Sequence, residues 1–172
     1  MAEELTPPAV DSDGTFKVVF VPDGGIANVG APTVTELSAP TVKPITYSLT
    51  ADGWSPSFSQ ATSTDDRLTA PTTYNTPGKE SGDITVKYVF GDPDNDVADP
   101  ALTPGTKGFL VWRAAVANDV DFAADQVVDV FPFTAGARNV DAPTANGKWS
   151  KTQTLFQRPP GMKKEVAVVA GS

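Results

Sequence analysis

The stretch that decides the fold class is Ile84-Thr85-Val86-Lys87-Tyr88-Val89-Phe90. Its apolar residues at even positions alternate with Thr85 and Lys87 at odd positions. Because successive side chains of a β-strand point to opposite faces, this alternation predicts a strand with one buried face and one polar face. Half-buried strands of this kind are typical of antiparallel sheets.

Further strand-like runs surround this stretch and are separated by Pro- and Gly-containing turns. They cover residues 16–21, 45–49, 108–116, 126–133, 149–157 and 166–169. The run at 108–116 is continuously apolar, which predicts a strand covered on both faces. The best helix candidate is a single turn at 98–102, with Asp99 as cap and Pro100 as first helical residue. The chain is therefore predicted to be all-β, an antiparallel sandwich or barrel with at most one short helix.

Composition narrows the function classes. The 172 residues favour a single domain, and 16 Pro with 14 Gly favour turns and extended structure. The absence of His and Cys excludes Ser-His-Asp chemistry, thiolate nucleophiles and disulfides. A net charge of -8 disfavours nucleic acid as a bound ligand, because phosphate binding needs a basic surface.

The sequence shows no targeting segment. Met1-Ala2-Glu3-Glu4 lacks the positive region and apolar run of a secretion signal, and no apolar run approaches the length of a membrane span. We expect a protein that is made in the cytosol and does not contact a membrane.

Two segments are too long for ordinary connections. Residues 55–82 are rich in Ser, Thr, Asn and Pro without apolar periodicity, and residues 29–44 contain three prolines. Such loops either bind a partner or are disordered. Because Pro lowers the entropy lost on ordering, docking is the more useful of the two interpretations.

No residue set predicts catalysis, a cofactor or a metal with any specificity. Residues 92–99 begin like an EF-hand loop, but Val97 stands where Gly is needed and Thr103 where Glu is needed, so a solvated turn is the alternative to a cation site. Ser150 and Lys151 are strand neighbours that point apart and cannot form a dyad. Nothing selects a carboxylate pair, and we expect no enzyme activity.

The three tryptophans are candidates for contacts with a sugar or with another protein chain. Trp112 lies in the continuously apolar run and is predicted to be core. Trp54 follows Asp52-Gly53 at a strand end and is the one expected to contact a sugar or another protein chain.

The order of several short motifs resembles the major tail tube proteins of long-tailed bacteriophages of the siphovirus type, particularly those of actinobacterial hosts. The likeness covers roughly residues 16 to 158. It is carried by Phe16-Lys17-Val18-Val19-Phe20-Val21-Pro22, Ile26-Ala27-Asn28, Ala31-Pro32-Thr33, Glu36-Leu37, Leu49-Thr50-Ala51-Asp52-Gly53-Trp54, Gly105-Thr106-Lys107-Gly108-Phe109-Leu110-Val111-Trp112-Arg113 and Val127-Val128-Asp129-Val130-Phe131-Pro132.

The resemblance implies a tail-tube β-sandwich that assembles into stacked hexameric rings, each subunit lending strands to an inner barrel. It implies a tape-measure protein, a tail terminator and baseplate or tail-tip proteins as partners, with DNA only in transit. The protein would be made in the host cytoplasm and end in the virion tail. The implied organisation is a flexible arm at 1–15, one domain at 16–158 with the long loop 55–82, and a C-terminal arm or edge strand at 159–172.

In such a tube the net negative charge of the chain would have a function, because an acidic lumen repels phosphate and lets DNA slide. The lumen candidates are Asp83, Asp125 and Asp129. The candidates for contacts between subunits are Trp54, Phe58, Leu68 and Tyr74. A neighbouring subunit would also explain a strand at 108–116 that is covered on both faces.

Two other function classes fit the same strand pattern. An immunoglobulin-like or carbohydrate-binding decoration module would share the sandwich and the acidity but would not polymerise. A hydrolase on a β-sandwich would need a convergent carboxylate pair.

Overall fold

A computed structural model describes residues 5–69 and 71–171. The elements, in chain order, are β1 (Phe16–Pro22), α1 (Val34–Leu37), β2 (Lys43–Pro44), β3 (Leu49–Asp65), β4 (Tyr74–Val89), α2 (Ala98–Ala101), β5 (Lys107–Ala114), β6 (Val127–Val140), β7 (Ser150–Gln157) and β8 (Lys163–Ala167). The pairs β1/β2, β1/β5, β3/β4, β4/β7, β6/β7 and β6/β8 are antiparallel. The predicted all-β class is confirmed.

The described chain forms two compact units. The first comprises the described residues of Met1–Thr46 and Met162–Ser172 together with Gly108–Phe131, and the second comprises the described residues of Tyr47–Lys107 together with Pro132–Gly161. Strand β6 begins in the first unit and ends in the second. The first four residues of the predicted N-terminal arm lie outside the described residues, and residues 5–14 are exposed.

The first unit is built on the strand order β2-β1-β5-β6, with β8 pairing β6. Alternate residues of these strands form its core, joined by residues from the connecting segments: Val19, Val21, Ile26, Val29, Leu37, Phe109, Val111, Phe122, Val128, Val130 and Val168. Each such side chain contributes about 1.5 to 3 kcal/mol by leaving water. The strands predicted at 16–21 and 126–133 are confirmed.

Strand β5 is buried on both faces, as its apolar run predicts. Every residue from Gly108 to Arg113 is buried within the single chain. A neighbouring subunit is not needed to explain this burial, because the chain's own residues already remove both faces of the strand from water.

The C-terminal segment is paired, not extended away from the molecule. Val128 lies opposite Val166 in the β6/β8 pair. Beyond β8, the amide of Val168 donates to Gln126 O and the amide of Val169 donates to Pro32 O, at 2.8 and 2.9 Å. Strand β8 therefore belongs to the sheet of the first unit.

Helix α1 is a feature that the sequence analysis did not predict. Thr33 and Glu36 form a capping box, in which Glu36 N donates to Thr33 Oγ1 and Thr33 N donates to Glu36 Oε2, at 3.1 and 2.8 Å. This reciprocal pattern stabilises helix starts by satisfying amides that have no partner within the helix. The Thr-x-x-Glu spacing was a readable signal for it.

The second unit is built on the strand order β6-β7-β4-β3. Its buried face carries Ile84, Val86 and Tyr88 of β4, with Gln153 and Leu155 of β7 directly opposite two of them. The half-buried strand predicted at 84–90 and the strand predicted at 149–157 are therefore confirmed.

The predicted long loop at 55–82 is instead most of a β-hairpin. Strands β3 and β4 pair from Trp54 with Val86 out to Asp65 with Tyr74, and β7 accompanies β4 only as far as Asp83. Beyond that point residues 59–69 are exposed on both faces. Hydrophobic alternation reports burial of one face, so a hairpin with neither face buried has no periodic signal in the sequence.

Two local predictions were also wrong. Residues 46–48 form a 3₁₀ turn, because Thr46 Oγ1 donates to Val18 O and accepts from Val18 N at 3.1 and 2.8 Å, replacing strand pairing there. Helix α2 is capped by Val97 without a side-chain hydrogen bond. Asp99 lies inside the helix and its carboxylate binds other side chains.

Candidate functional site

The second unit presents a polar sheet face opposite its buried face. Because Ile84, Val86 and Tyr88 point inward, Asp83, Thr85 and Lys87 point outward from the same strand. Their partners in register extend this face onto β3 and β7: Ser55, Ser57, Thr152, Thr154 and Phe156. We call this set, with Asp52 and Asp141 beside it, the polar face.

Hydroxyl groups dominate the middle of the polar face. Ser55, Thr85 and Thr154 lie in one row across three strands. The Oγ1 atoms of Thr85 and Thr154 are 3.3 Å apart and hydrogen-bonded. The row presents neutral groups that donate and accept hydrogen bonds without fixed charge.

A charged pair lies at one end of this row. Lys87 Nζ is 3.0 Å from Asp52 Oδ2. Thr50 Oγ1 donates to Asp52 Oδ1 at 2.8 Å. The hydrogen bonds from Thr50 and then from Lys87 lower the pKa of Asp52, so this carboxylate is ionised at neutral pH.

A second carboxylate lies beside this pair and is held by hydroxyls. Ser150 Oγ and Thr152 Oγ1 donate to the two carboxylate oxygens of Asp141, at 2.6 and 2.7 Å. These two bonds, in that order, lower the pKa of Asp141. Thr152 lies directly opposite Lys87 in the β4/β7 pair, so both carboxylates belong to one cluster around a single cation.

The three lumen candidates are divided between the two units. Asp83 lies on the polar face, opposite Ser57 and Phe156. Asp125 and Asp129 belong to the first unit. Asp125 adopts a φ of 66° before β6, and Asp129 Oδ1 accepts the Glu165 amide at 2.6 Å.

The four contact candidates all belong to the hairpin and differ in exposure. Trp54 and Phe58 are half-buried, and Phe58 covers Gly82, where an added Cβ would lie 2.1 Å from the ring. Leu68 in the connection is fully exposed and Tyr74 is 65% exposed. The large apolar surface of the hairpin therefore increases toward its tip.

Sequence reasoning missed two groupings of charged side chains, one buried around Arg113 and one partly buried around Asp99. Arg113 is 1% exposed and donates to Asp121 O, Ala117 O, Val120 O and Gln126 Oε1 at 2.7 to 3.1 Å. In the second unit, Arg138 and Lys151 each approach the same oxygen of Asp99 at 2.6 Å. Neither cluster has a local sequence signal, because the partners are other parts of the chain or backbone carbonyls.

The aspartates at 92–96 bond to their own segment. Asp92 Oδ2 accepts Asn95 Nδ2 at 2.7 Å, and Asp96 Oδ2 accepts the Gly91 amide at 3.0 Å. Among residues 5–69 and 71–171, no three side chains of metal-ligating type lie together as a metal site. In the same ranges no helix has the length and apolarity needed to cross a membrane.

Comparisons with known proteins give consistent results. A family model described as "Phage tail tube protein" matches residues 4–171. The chain is similar to one in the cryo-EM structure of the anti-feeding prophage baseplate, 6-fold symmetrised, with a TM-score of 0.56 and 11% identity over 94% of this chain and 98% of that one. It is also similar to a chain in the hybrid solid-state NMR and cryo-EM structure of the SPP1 tail tube, with a TM-score of 0.56 and 15% identity over 90% of this chain and 79% of that one. At these identities the structural likeness shows the fold alone. No curated protein matches the sequence.

Proposed function

Because the chain belongs to the phage tail tube protein family, it is a structural subunit of a tail tube, and we propose that its copies form stacked hexameric rings around an acidic channel for the genome. The virion tail is its location. The 6-fold symmetrised baseplate that contains a chain of similar fold supports six copies per ring.

The observation that carries this proposal is the open edge of the second unit. Strand β3 is 17 residues long and is the last strand of the order β6-β7-β4-β3. No described strand pairs its outer side. Long unpaired edges recruit strands from other chains, so natural monomers shorten, charge or cover them. If a neighbouring copy in the ring pairs with β3, the unpaired edge becomes the interface between subunits.

The polar face is the proposed channel wall. Its central row, Ser55, Thr85 and Thr154, carries no charge, and Asp83 adds one acid per subunit that forms no ion pair within the described chain. The net charge of -8 gives the assembly a field that repels phosphate. Asp125 and Asp129 belong to the first unit and stay predictions as lumen residues.

The projecting part of the hairpin, residues 60–80, is proposed to bridge adjacent rings together with the exposed N-terminal segment. The fully exposed Leu68 and the exposed Tyr74 supply apolar surface that assembly would bury. Trp54 and Phe58, nearer the sheet, are proposed to contact a neighbour within the ring.

The finer identity rests on the sequence resemblance. We propose a siphovirus-type tail of a phage of actinobacterial hosts, assembled in the host cytoplasm around a tape-measure protein. A tail terminator and baseplate or tail-tip proteins would bind the two ends. The protein has no proposed enzymatic role.

Negative-stain electron microscopy of the purified protein tests the proposal. We expect long filaments of constant diameter with a central channel. A decoration module would instead stay monomeric or form small oligomers over the same concentration range, and that result would contradict the tube.

A further inference from the structure

We propose that Asp52 acts as a screen for Lys87, preventing this cation from binding DNA phosphates so that the channel wall stays non-adhesive. The inference rests on the proposed function, in which the polar face lines the channel. It assigns to one residue of the face a role in letting the genome slide.

Lys87 is the cation in the strand-paired part of the polar face. Among the residues that β4 and β7 place there from Asp83 to Lys87, the others are hydroxyl, acidic or aromatic side chains. The Lys87 side chain is 31% exposed, so part of it is open to solvent on this face. A lysine ammonium is a compact point charge with three donors and binds phosphate readily. Left alone, Lys87 would be an attachment point for DNA.

The structure places a carboxylate on this cation and holds it there. Asp52 Oδ2 is 3.0 Å from Lys87 Nζ, while Asp52 Oδ1 accepts the Thr50 hydroxyl at 2.8 Å. The second oxygen is therefore anchored independently of the lysine. Asp52 is 35 residues distant from Lys87 in sequence, so the pairing depends on how β3 lies against β4.

A bulge in β3 makes this approach possible. The register shifts between Leu49 and Trp54, and Gly53 at the bulge is buried. A Cβ built on Gly53 would lie 2.2 Å from Lys87 O, so only glycine lets the two backbones come this close. Bulges re-aim neighbouring side chains, and this one directs Asp52 at Lys87.

Pairing of Lys87 with Asp52 has a large effect in a tube because the same lysine occurs in every subunit. Every subunit of a tube repeats Lys87, and each phosphate contact adds about 0.9 to the salt slope of DNA binding. Contacts that are weak singly would add along the length of the genome inside the channel. Asp141 also attracts Lys87, but its two oxygens are occupied by Ser150 and Thr152, which leaves Asp52 as the direct partner.

The test compares Asp52→Asn with a matched control, Asp83→Asn. Both variants remove one negative charge from the polar face, but Asp83 forms no ion pair within the described chain. The third variant, Asp52→Asn with Lys87→Gln, removes the cation as well. Each protein is assembled into tubes in the presence of a fluorescent DNA duplex of about 20 base pairs, and the DNA that sediments with washed tubes is measured at several salt concentrations.

We expect Asp52→Asn tubes to retain about fivefold more DNA than wild-type tubes at low salt, with the excess lost as salt rises. Asp83→Asn and the double variant should stay near the wild type. Equal retention by Asp52→Asn and wild type, or by Asp52→Asn and Asp83→Asn, overturns the inference while leaving the tube intact. Absence of wild-type tubes contradicts the proposed function itself.

If a variant does not form tubes, a second measurement on unassembled chains replaces the sedimentation assay. Fluorescence anisotropy of the same duplex with the unassembled chains, whose polar face is open to solvent, should rank the variants in the same order. An unchanged affinity for Asp52→Asn in that assay also overturns the inference.

Discussion

At the scale of single residues, the most consequential side chain in the first unit is the buried cation Arg113. It satisfies three backbone carbonyls of residues 117–121 and packs 5.2 Å from the centre of the Phe122 ring. It therefore fixes the segment between β5 and β6 from inside the molecule. A local sequence pattern shows only an Arg at the end of an apolar strand.

Replacing Arg113 by Met should destabilise the protein by about 3 kcal/mol, because buried carbonyls lose their donors. Arg67→Met is the control, since Arg67 is an exposed hairpin residue paired with Asp65 and should show no measurable change. Urea unfolding followed by tryptophan fluorescence measures both. A loss for Arg113→Met as small as that for Arg67→Met would contradict the assigned role.

The hydrogen bonds on Asp141 predict a dependence of stability on pH. Because Ser150 and Thr152 lower the pKa of this carboxyl, its contribution is present above the ordinary Asp pKa and is lost as pH falls through the folded-state value. Asp141→Asn should therefore lower the melting temperature at neutral pH, and the difference from wild type should shrink as the pH falls below the ordinary pKa of Asp.

Thermal unfolding at a series of pH values tests this prediction, with Asp94→Asn at an exposed turn as the control for removing one acid. A melting temperature difference between Asp141→Asn and wild type that widens on acidification would show that Asp141 does not stabilise the fold through its charged form.

At the scale of secondary structure, the hairpin of β3 and β4 is the element most clearly built for another chain. Joining Ser59 to Ser81 through an Asn-Gly turn removes the projecting part and keeps the register of the remaining pairs. Ile84, Val86 and Tyr88 stay packed, so the melting temperature should stay within a few degrees of wild type.

The shortened protein should not form long tubes in negative stain, because the apolar tip that is proposed to bridge rings is gone. Leu68→Asp, which changes only the tip, should shorten the tubes without changing the melting temperature. Tubes of wild-type length from the shortened hairpin would contradict the bridging role.

At the scale of the whole molecule, the net negative charge of the chain has its main consequence on assembly. A charge of -8 on one copy is ordinary for a soluble protein, but in the proposed tube it is repeated around every ring. The position of each acid then decides whether DNA meets it.

Phage carrying Asp83→Lys should form tails of normal appearance but eject DNA more slowly, because the substitution places an unscreened cation on the proposed channel wall. The effect should weaken as salt rises. Asp125→Lys serves as the comparison, since Asp125 lies in the first unit. Slow ejection from Asp125→Lys with normal ejection from Asp83→Lys would move the channel wall away from the polar face.

Much of the strand framework could be predicted from the sequence, because burial leaves a pattern in neighbouring residues. The alternation at residues 84–90 and the continuous apolar run at 108–116 each predicted a strand and its number of covered faces. The exclusion of His and Cys chemistry also needs no structure, since it depends on composition alone.

Only the tertiary structure decided what the polar residues do. Residues 59–69 of the hairpin have no burial to shape their sequence. Asp52 pairs with Lys87 across 35 residues, and Asp99 pairs with Arg138 and Lys151 across 39 and 52 residues. The sequence does not distinguish the three lumen candidates from one another. The fold places Asp83 in one unit and Asp125 and Asp129 in the other. The physical reason is the separation in sequence of the residues involved. Hydrophobic periodicity is a pattern of adjacent residues, whereas ion pairs and strand pairing depend on which distant segments come together in the fold.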